Sequence, residues 1–228
     1  MSCLQNDYPS VSRGIGCTYG GSQLLADDDV MKKVGCGVVA VLDLLIYLNR
    51  KNRVDNGRLS RDVSEHGPVR LETYNTLLNE LRRRYLPLIP GHGINGWMLA
   101  LGINRFFIKN RMPYYAFWGV PYSLIWQRIE EMLREDIPVI LSIGPNFPLL
   151  WQKKELTLHI QTSDGGFYPG PATHAHYVTV TGMDDTWLQI SSWGRKYFIN
   201  RNEYLQYVKA HSARLVSNIL YVKKKVKR

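Results

Sequence analysis

The sequence predicts an α+β fold, with a helical first half packed on a second half of antiparallel strands. Apolar residues recur at helical spacing in the first half, as in the stretch LETYNTLLNELRRRY that begins at Leu71. From Pro138 onward, short apolar or alternating runs such as PVILSIG and YVTVTG replace that period. No linker or repeat divides the chain. We therefore expect one domain, 1–228, mainly helical over 1–137 and mainly β over 138–228.

Three further helices are expected in the first half. One begins at Cys36 and contains the apolar run 38–48. Asn95 is expected to cap a second helix, because its side chain is short and accepts hydrogen bonds. Ser123 is expected in the same way to cap a helix over 124–134. These helices are interpreted as scaffold.

Five strands and one short helix are expected in the second half. The strand sequences are PVILSIG, YVTVTG, WLQIS, KYFI and SNILYVKK. Asn200 is expected to cap the helix NRNEYLQYVKA. The stretch 144–173 contains SDGG and YPGP, so it is expected to be irregular and to form part of a cleft wall.

The chain is basic, with a formal net charge of +10 from 29 Lys and Arg and 19 Asp and Glu residues. Clustered basic residues can hold nucleic acid by releasing counterions. No RNA- or DNA-binding motif accompanies them here, so they are interpreted as solvated helix ends and a solvated tail. The clusters are Arg50, Lys51 and Arg53; Arg82, Arg83 and Arg84; and Lys223, Lys224, Lys225, Lys227 and Arg228.

The cysteines and the apolar runs indicate the cellular setting. The three cysteines are odd in number and form no C-x-x-C pair, which supports neither a disulfide framework nor a cysteine zinc site. The longest apolar run, 38–48, contains Asp43 and is too short to span a bilayer. No signal-peptide pattern is present at the N-terminus. We expect a reduced, cytoplasmic protein that does not enter a membrane, with no cofactor; the sequence leaves its oligomeric state open.

Cys36 is the strongest candidate for chemistry. It lies between Gly35 and Gly37 at the start of an apolar helix, where free N–H groups and the helix dipole favour a thiolate. A histidine, His176, begins the motif HYVTVTG far downstream, and Ser191 begins SSWG after it. This order predicts a thiol nucleophile, an imidazole base and a residue that holds the base.

The chain resembles the papain-like cysteine peptidases, in the compact bacterial form related to the leader peptidases that process double-glycine bacteriocin precursors. GCGVVA looks like the nucleophile helix of that family, and HYVTVTG is similar to the strand that begins with its catalytic histidine. SSWG is similar to the family's Asn-Ser-Trp-Gly. The 140 residues from Cys36 to His176 are typical of papain-type enzymes, and 15 more lead to Ser191.

The resemblance implies a role for each of these residues. Cys36 would be the nucleophile and His176 its base, while Ser191 stands where the family has the asparagine that orients the base. The family's oxyanion glutamine lies a few residues before the cysteine, whereas the nearest candidate here, Gln23, lies 13 residues before it. A loop over ADDDVMKK would return it to the site at little cost, because loop length is entropically cheap. Residues implied to line the substrate site are Gly35, Gly37, His174 and Trp193, the last of which would also shield the histidine from water.

Each assignment also has a structural alternative. Free cysteines are often buried small residues, and strand histidines, serines and tryptophans are common in cores. His159 and His174 together suggest a metal site only weakly. The H-x-H pair formed by His174 and His176 has no neighbouring carboxylate or cysteine ligand. The expected function is a cysteine hydrolase that cleaves a peptide or related acyl bond in a peptide or protein substrate. The alternative is an inactive relative that binds a peptide or another partner in the same cleft.

Overall fold

The computed structural model describes residues 2–52, 59, 63–64, 66–89 and 91–225. Arg53, Lys227 and Arg228 of the basic clusters lie outside the described residues. The described chain combines helices with an antiparallel sheet, so the predicted α+β class is confirmed.

The helices begin and end close to the predicted positions, with one exception. Asn95 accepts the Met98 N–H at 2.9 Å and Asn200 caps its helix in the same way, so both predicted caps are confirmed. The prediction for Ser123 is wrong, because Tyr122–Leu124 form a 3-10 turn and the helix starts after it without a side-chain cap. The helices described are α1 (Asp29–Val34), α2 (Cys36–Asn52), α3 (Leu71–Arg84), α4 (Gly96–Lys109), α5 (Ile125–Arg134) and α6 (Arg201–His211).

Most strands belong to one large sheet. Its order is β5-β12-β6-β9-β10-β11-β7-β8, with β1 paired to β9, and its pairs are antiparallel. A separate small sheet has the order β3-β2-β4. The strands described are β1 (Ser2–Cys3), β2 (Val11–Arg13), β3 (Gly16–Cys17), β4 (Val69–Arg70), β5 (Tyr114–Trp118), β6 (Val139–Ile143), β7 (Leu156–Gln161), β8 (Phe167–Thr173), β9 (His176–Met183), β10 (Trp187–Ser192), β11 (Arg195–Asn200) and β12 (Ile219–Lys224).

The stretch 144–173 is more regular than predicted. It contains β7 and β8, which form a hairpin whose tip is the turn-rich SDGG segment. β8 is the last strand of the large sheet, so Pro169 and Pro171 can lie in it although they lack the N–H that a central strand needs. The turn residues therefore mark the hairpin tip and an edge strand, and the prediction of an irregular stretch was wrong.

The large sheet separates two apolar cores. α2 and α4 pack on one face and α3 packs against α2, while α5 and α6 pack on the other face. Over 38–48, α2 is apolar on all sides apart from Asp43, and this part is correspondingly buried between β9, α3 and α4. β5, from the first half of the chain, pairs with the C-terminal β12, so the sheet draws strands from both halves. This packing brings the start of α2 against the start of β9.

Within the described ranges, none of the helices has the length and the apolar character needed to cross a membrane.

Candidate functional site

Cys36 lies at the junction of two helices. α1 ends at Gly35, whose N–H donates to the Met31 carbonyl at 2.8 Å, and α2 begins at the next residue. The backbone N–H groups of Gly37 and Tyr177 face the Cys36 sulfur and stabilise its negative form. Since Tyr177 directly follows His176, this contact places the sulfur beside the start of β9.

Burial opposes the formation of a thiolate at Cys36. The side chain keeps some exposure, but the surrounding protein desolvates the sulfur and raises the pKa of the thiol. This effect outweighs the N–H groups that face the sulfur. The resting group at neutral pH is therefore a thiol, although the helix position alone favours a thiolate.

His176 is the first residue of β9, and contacts on two sides fix its ring. Its Nε2 lies 2.8 Å from the Ser192 hydroxyl, and the ring stacks on Trp193 with centroids 4.6 Å apart and planes at 19°. Trp193 and Gly194 form the tight turn between β10 and β11, both with positive φ. Burial lowers the pKa of His176 to about 4, so the ring is neutral at pH 7. The tautomer that donates from Nε2 to Ser192 leaves Nδ1 as the proton acceptor.

Ser191 does not contact the histidine in this structure. Its hydroxyl donates to the Tyr19 carbonyl at 2.8 Å. Ser191 pairs with Thr179, so these two side chains lie on the same face of the sheet. Side chains alternate along a strand and Thr179 lies three residues after His176, so this face is opposite to that of His176. The next residue, Ser192, lies on the same face as the histidine. Ser192, one residue after the predicted position, therefore makes the hydrogen bond to His176 that was expected of Ser191.

Gln23 reaches the site through a 3-10 turn. Ser22 caps that turn, and the buried Gln23 side chain donates from Nε2 to the Lys32 carbonyl at 2.9 Å. Its Oε1 is buried without a hydrogen-bond partner among the described residues. The loop between Gln23 and Cys36 contains α1 and brings the two residues to the same pocket, as the sequence analysis expected of a returning loop.

These side chains enclose a small pocket. Its free volume is about 20 Å³, room for about one water molecule. Only a group about the size of a water molecule therefore fits inside the pocket. The pocket is lined by Gly21, Gln23, Cys36, Val39, Ala40, Asp43, His176, Tyr177, Thr179, Ser191, Ser192 and Trp193.

Three predicted substrate-site residues do not line this pocket. Gly35 ends α1, and Gly37 packs so closely that an added Cβ would lie 3.1 Å from the Tyr177 ring. His174 lies between β8 and β9, with its Nδ1 3.5 Å from a Glu155 carboxylate oxygen. Ala175, at φ +50°, separates His174 from the start of β9.

Asp43 is a pocket residue that the sequence analysis did not assign to the site. It lies on α2 seven residues after Cys36, on the same face of the helix. The carboxylate is buried, and desolvation raises its pKa to about 6. The sequence does carry a signal for it, since Asp43 is the one charged residue in the apolar run 38–48. A charge in such a run is buried and must find hydrogen-bond partners.

Three other features of the described chain lie outside this pocket. A mostly apolar cavity of about 330 Å³ lies between α2, α3 and α4, and its described lining contains neither cysteine nor histidine. His159 contacts Glu203 at 2.8 Å, and the described residues include no group of three or more potential metal ligands. In the second basic cluster, Arg82 pairs with Asp28 and Arg84 with Glu80.

No family model matches this chain, and no curated protein matches it. The site is therefore interpreted from its own residues.

Proposed function

We propose that this protein is a papain-like cysteine hydrolase that cleaves a peptide or a related acyl bond. One observation carries the proposal. The N–H of Tyr177, the residue after His176, faces the Cys36 sulfur, although Cys36 and His176 lie 140 residues apart in the sequence. Gln23 and Trp193 line the same pocket. A nucleophile, a base and a donor for the oxyanion therefore lie together, which is the minimum that acyl transfer requires.

The proposed reaction has two steps. As the Cys36 sulfur attacks the substrate carbonyl, His176 Nδ1 takes the thiol proton and the carbonyl oxygen becomes an oxyanion. His176 then gives that proton to the leaving amine, and the C–N bond breaks to leave a thioester. Water attacks the thioester with His176 again as the base, which releases the carboxylic acid and restores the thiol.

The remaining pocket residues support these steps. Ser192 accepts a hydrogen bond from His176 Nε2 and stabilises the imidazolium that forms. The Trp193 ring covers the histidine and keeps water from it. The Cys36 N–H and the second N–H of Gln23 Nε2, the first being donated to Lys32, hold the oxyanion.

We propose a peptide or protein substrate with an apolar side chain near the cleaved bond. The loop between β6 and β7 begins beside the histidine, since Ile143 at the end of β6 pairs with His176. Phe147, Leu150 and Trp151 in that loop are exposed by half or more. Apolar side chains at the edge of a cleft bind apolar substrate groups. We also propose that the protein is cytoplasmic, a location that its three unpaired cysteines fit. It is proposed to work without a cofactor.

Alkylation kinetics test the proposed function. Iodoacetamide should label Cys36 faster than the exposed Cys3 and Cys17, which serve as internal controls in the same molecule. The rate at Cys36 should fall at least tenfold in His176→Ala, because the base is lost, while the rates at the two controls stay unchanged. Mass spectrometry of each cysteine peptide over time measures all three rates in one experiment.

The alternative function is a catalytically inactive protein that binds a peptide or a partner in the same cleft. The raised pKa of Cys36, the low pKa of His176 and the small pocket favour it. Labelling of Cys36 that is no faster than labelling of Cys3 and Cys17, and unaffected by His176→Ala, supports this alternative and overturns the hydrolase.

A further inference from the structure

Asp43 binds the backbone of the segment that precedes Gln23. Its two carboxylate oxygens accept the Gly21 N–H at 2.9 and 3.1 Å. The hydroxyls of Tyr74 and Tyr8 donate to the same carboxylate at 2.8 and 3.2 Å. No ion pair in the described part of the chain involves Asp43, so backbone and phenol donors compensate its charge.

The two glycines before Gln23 fit this arrangement closely. A Cβ on Gly21 would overlap the Tyr74 hydroxyl, and a Cβ on Gly20 would lie 2.7 Å from an Asp43 oxygen. Gly20 also has φ +74°, a conformation that side chains strongly disfavour. The segment is therefore pressed directly onto the carboxylate of α2.

The other side of this segment is fixed by β10 and its turn. Ser191 donates to the Tyr19 carbonyl, and the Tyr19 N–H donates to the Gly194 carbonyl at 2.8 Å. Asp43 from the helix and Ser191 from the sheet thus hold opposite sides of the chain just before Gln23. Gln23 Oε1, which has no hydrogen-bond partner within the described part of the chain, lies buried where this segment ends.

We propose that Asp43 is a positioning residue that holds Gln23 in place as the oxyanion donor, and that protonation of its carboxyl releases this hold. The proposal rests on the proposed function, because it assigns a regulation to that same site. A charged acceptor binds an N–H about twice as strongly as a neutral one, so the protonated carboxyl holds Gly21 more weakly. Acyl transfer then weakens in mildly acidic solution, while the thiol itself stays in place.

Asp43 is the group in this pocket whose pKa lies near 6. Desolvation raises its pKa to about 6, whereas that of His176 falls to about 4 and that of Cys36 rises. The titratable groups that face Asp43 or line its pocket are Tyr8 and Tyr19 from the N-terminal segment, Tyr74 from α3, Cys36 from α2, and His176 and Tyr177 from β9. Burial raises the pKa of each of these tyrosines above its ordinary value, so none ionises near pH 6.

Two small reagents distinguish a change in the position of the oxyanion donor from a change in the reactivity of the Cys36 thiol. Iodoacetamide alkylates Cys36 without forming an oxyanion, whereas p-nitrophenyl acetate acylates it through one. The acetyl group moves to sulfur, p-nitrophenolate leaves and the thiol proton passes to His176. The ratio of the acylation rate to the alkylation rate therefore reports on the oxyanion donors alone.

We expect this ratio to fall in the unaltered protein as the pH drops from about 7 to about 5, with a midpoint near the Asp43 pKa. In Asp43→Asn it should be about tenfold lower at neutral pH and independent of pH, because a neutral amide oxygen replaces the charged acceptor. Asp136→Asn is the matched control. Asp136 is also buried and accepts a tyrosine hydroxyl and a backbone N–H, but it lies outside the pocket, so the ratio should not change.

The outcomes distinguish this inference from the proposed function. Rapid, His176-dependent alkylation with a ratio that is flat in the unaltered protein and the same in Asp43→Asn overturns the role of Asp43 and leaves the hydrolase intact. Absence of His176-dependent reactivity toward either reagent overturns both. The pH profile of the unaltered protein needs no variant, so the test stands even if Asp43→Asn fails to fold.

Discussion

Replacing His176 by glutamine should uncover a pH dependence of stability that the unaltered protein conceals. Burial lowers the pKa of His176 from 6.5 to about 4, so between these values the unfolded chain binds a proton that the folded protein excludes. Stability is therefore lost as the pH falls through this window, by about 3 kcal/mol in total.

Asp43 acts in the opposite direction. Burial raises its pKa from 3.8 to about 6, so the folded protein binds a proton that the unfolded chain lacks. The stability from this group is complete below its unfolded pKa and is lost as the pH rises through about 6, again by about 3 kcal/mol. The two effects nearly cancel between pH 4 and pH 6, where the pair leaves the free energy of unfolding almost constant.

Urea denaturation of three proteins measures this balance. Relative to the unaltered protein, the free energy of unfolding of His176→Gln should rise by about 2.4 kcal/mol between about pH 7 and pH 4.5, because the variant lacks the His176 effect that lowers the stability of the unaltered protein over this interval. Asp43→Asn should fall by about 2 kcal/mol over the same interval. Differences between proteins remove the titrations that all three share. If the three curves run parallel, neither group has the shifted pKa on which this reasoning depends.

Three further predictions concern single positions. Ser192→Ala should lower the His176-dependent alkylation rate of Cys36 about tenfold, because the imidazolium loses its hydrogen-bond acceptor. Ser191→Ala should leave this rate unchanged, because its hydroxyl binds the Tyr19 carbonyl instead. The rates of reaction with iodoacetamide compare the two variants. Trp193→Ala should raise the pKa of His176 toward 6.5, because water then reaches the ring. NMR titration of the ring protons measures this pKa, and an unchanged value would contradict the shielding role. Gly21→Ala should destabilise the fold by more than about 2 kcal/mol, because the new Cβ overlaps a tyrosine hydroxyl; a thermal midpoint equal to that of the unaltered protein refutes the close fit.

The regular elements were predictable because each rests on local physics. Strand alternation, helical periodicity and short polar caps such as Asn95 and Asn200 act within a few residues, and these predictions are confirmed. The hairpin within 144–173 was missed because its prolines are acceptable only on an edge strand. Whether a strand lies at an edge depends on the order of the whole sheet, which local patterns do not contain.

The sequence predicts which motifs form the candidate site, but it does not predict the hydrogen bonds within the site. Cys36, Gln23 and His176 line one pocket, and all three are predictable from the sequence. The choice between Ser191 and Ser192 depends on which serine lies on the histidine's face of the sheet. That follows from the pairing of Ser191 with Thr179, a contact between strands that a motif aligned by its tryptophan does not reveal.

Asp43 is better explained as a positioning residue than as a source of electrostatic stabilisation. It lies about 10 Å from Cys36 along the helix, since each residue rises about 1.5 Å. At that distance its charge would change the energy of a single charge by about 1–2 kcal/mol. The proposed reaction, however, creates an imidazolium and an oxyanion together. A carboxylate attracts the first and repels the second, so its net effect on the pair is small. Its contact with the Gly21 N–H has no such compensation, and we therefore expect Asp43→Asn to act through the placement of Gln23.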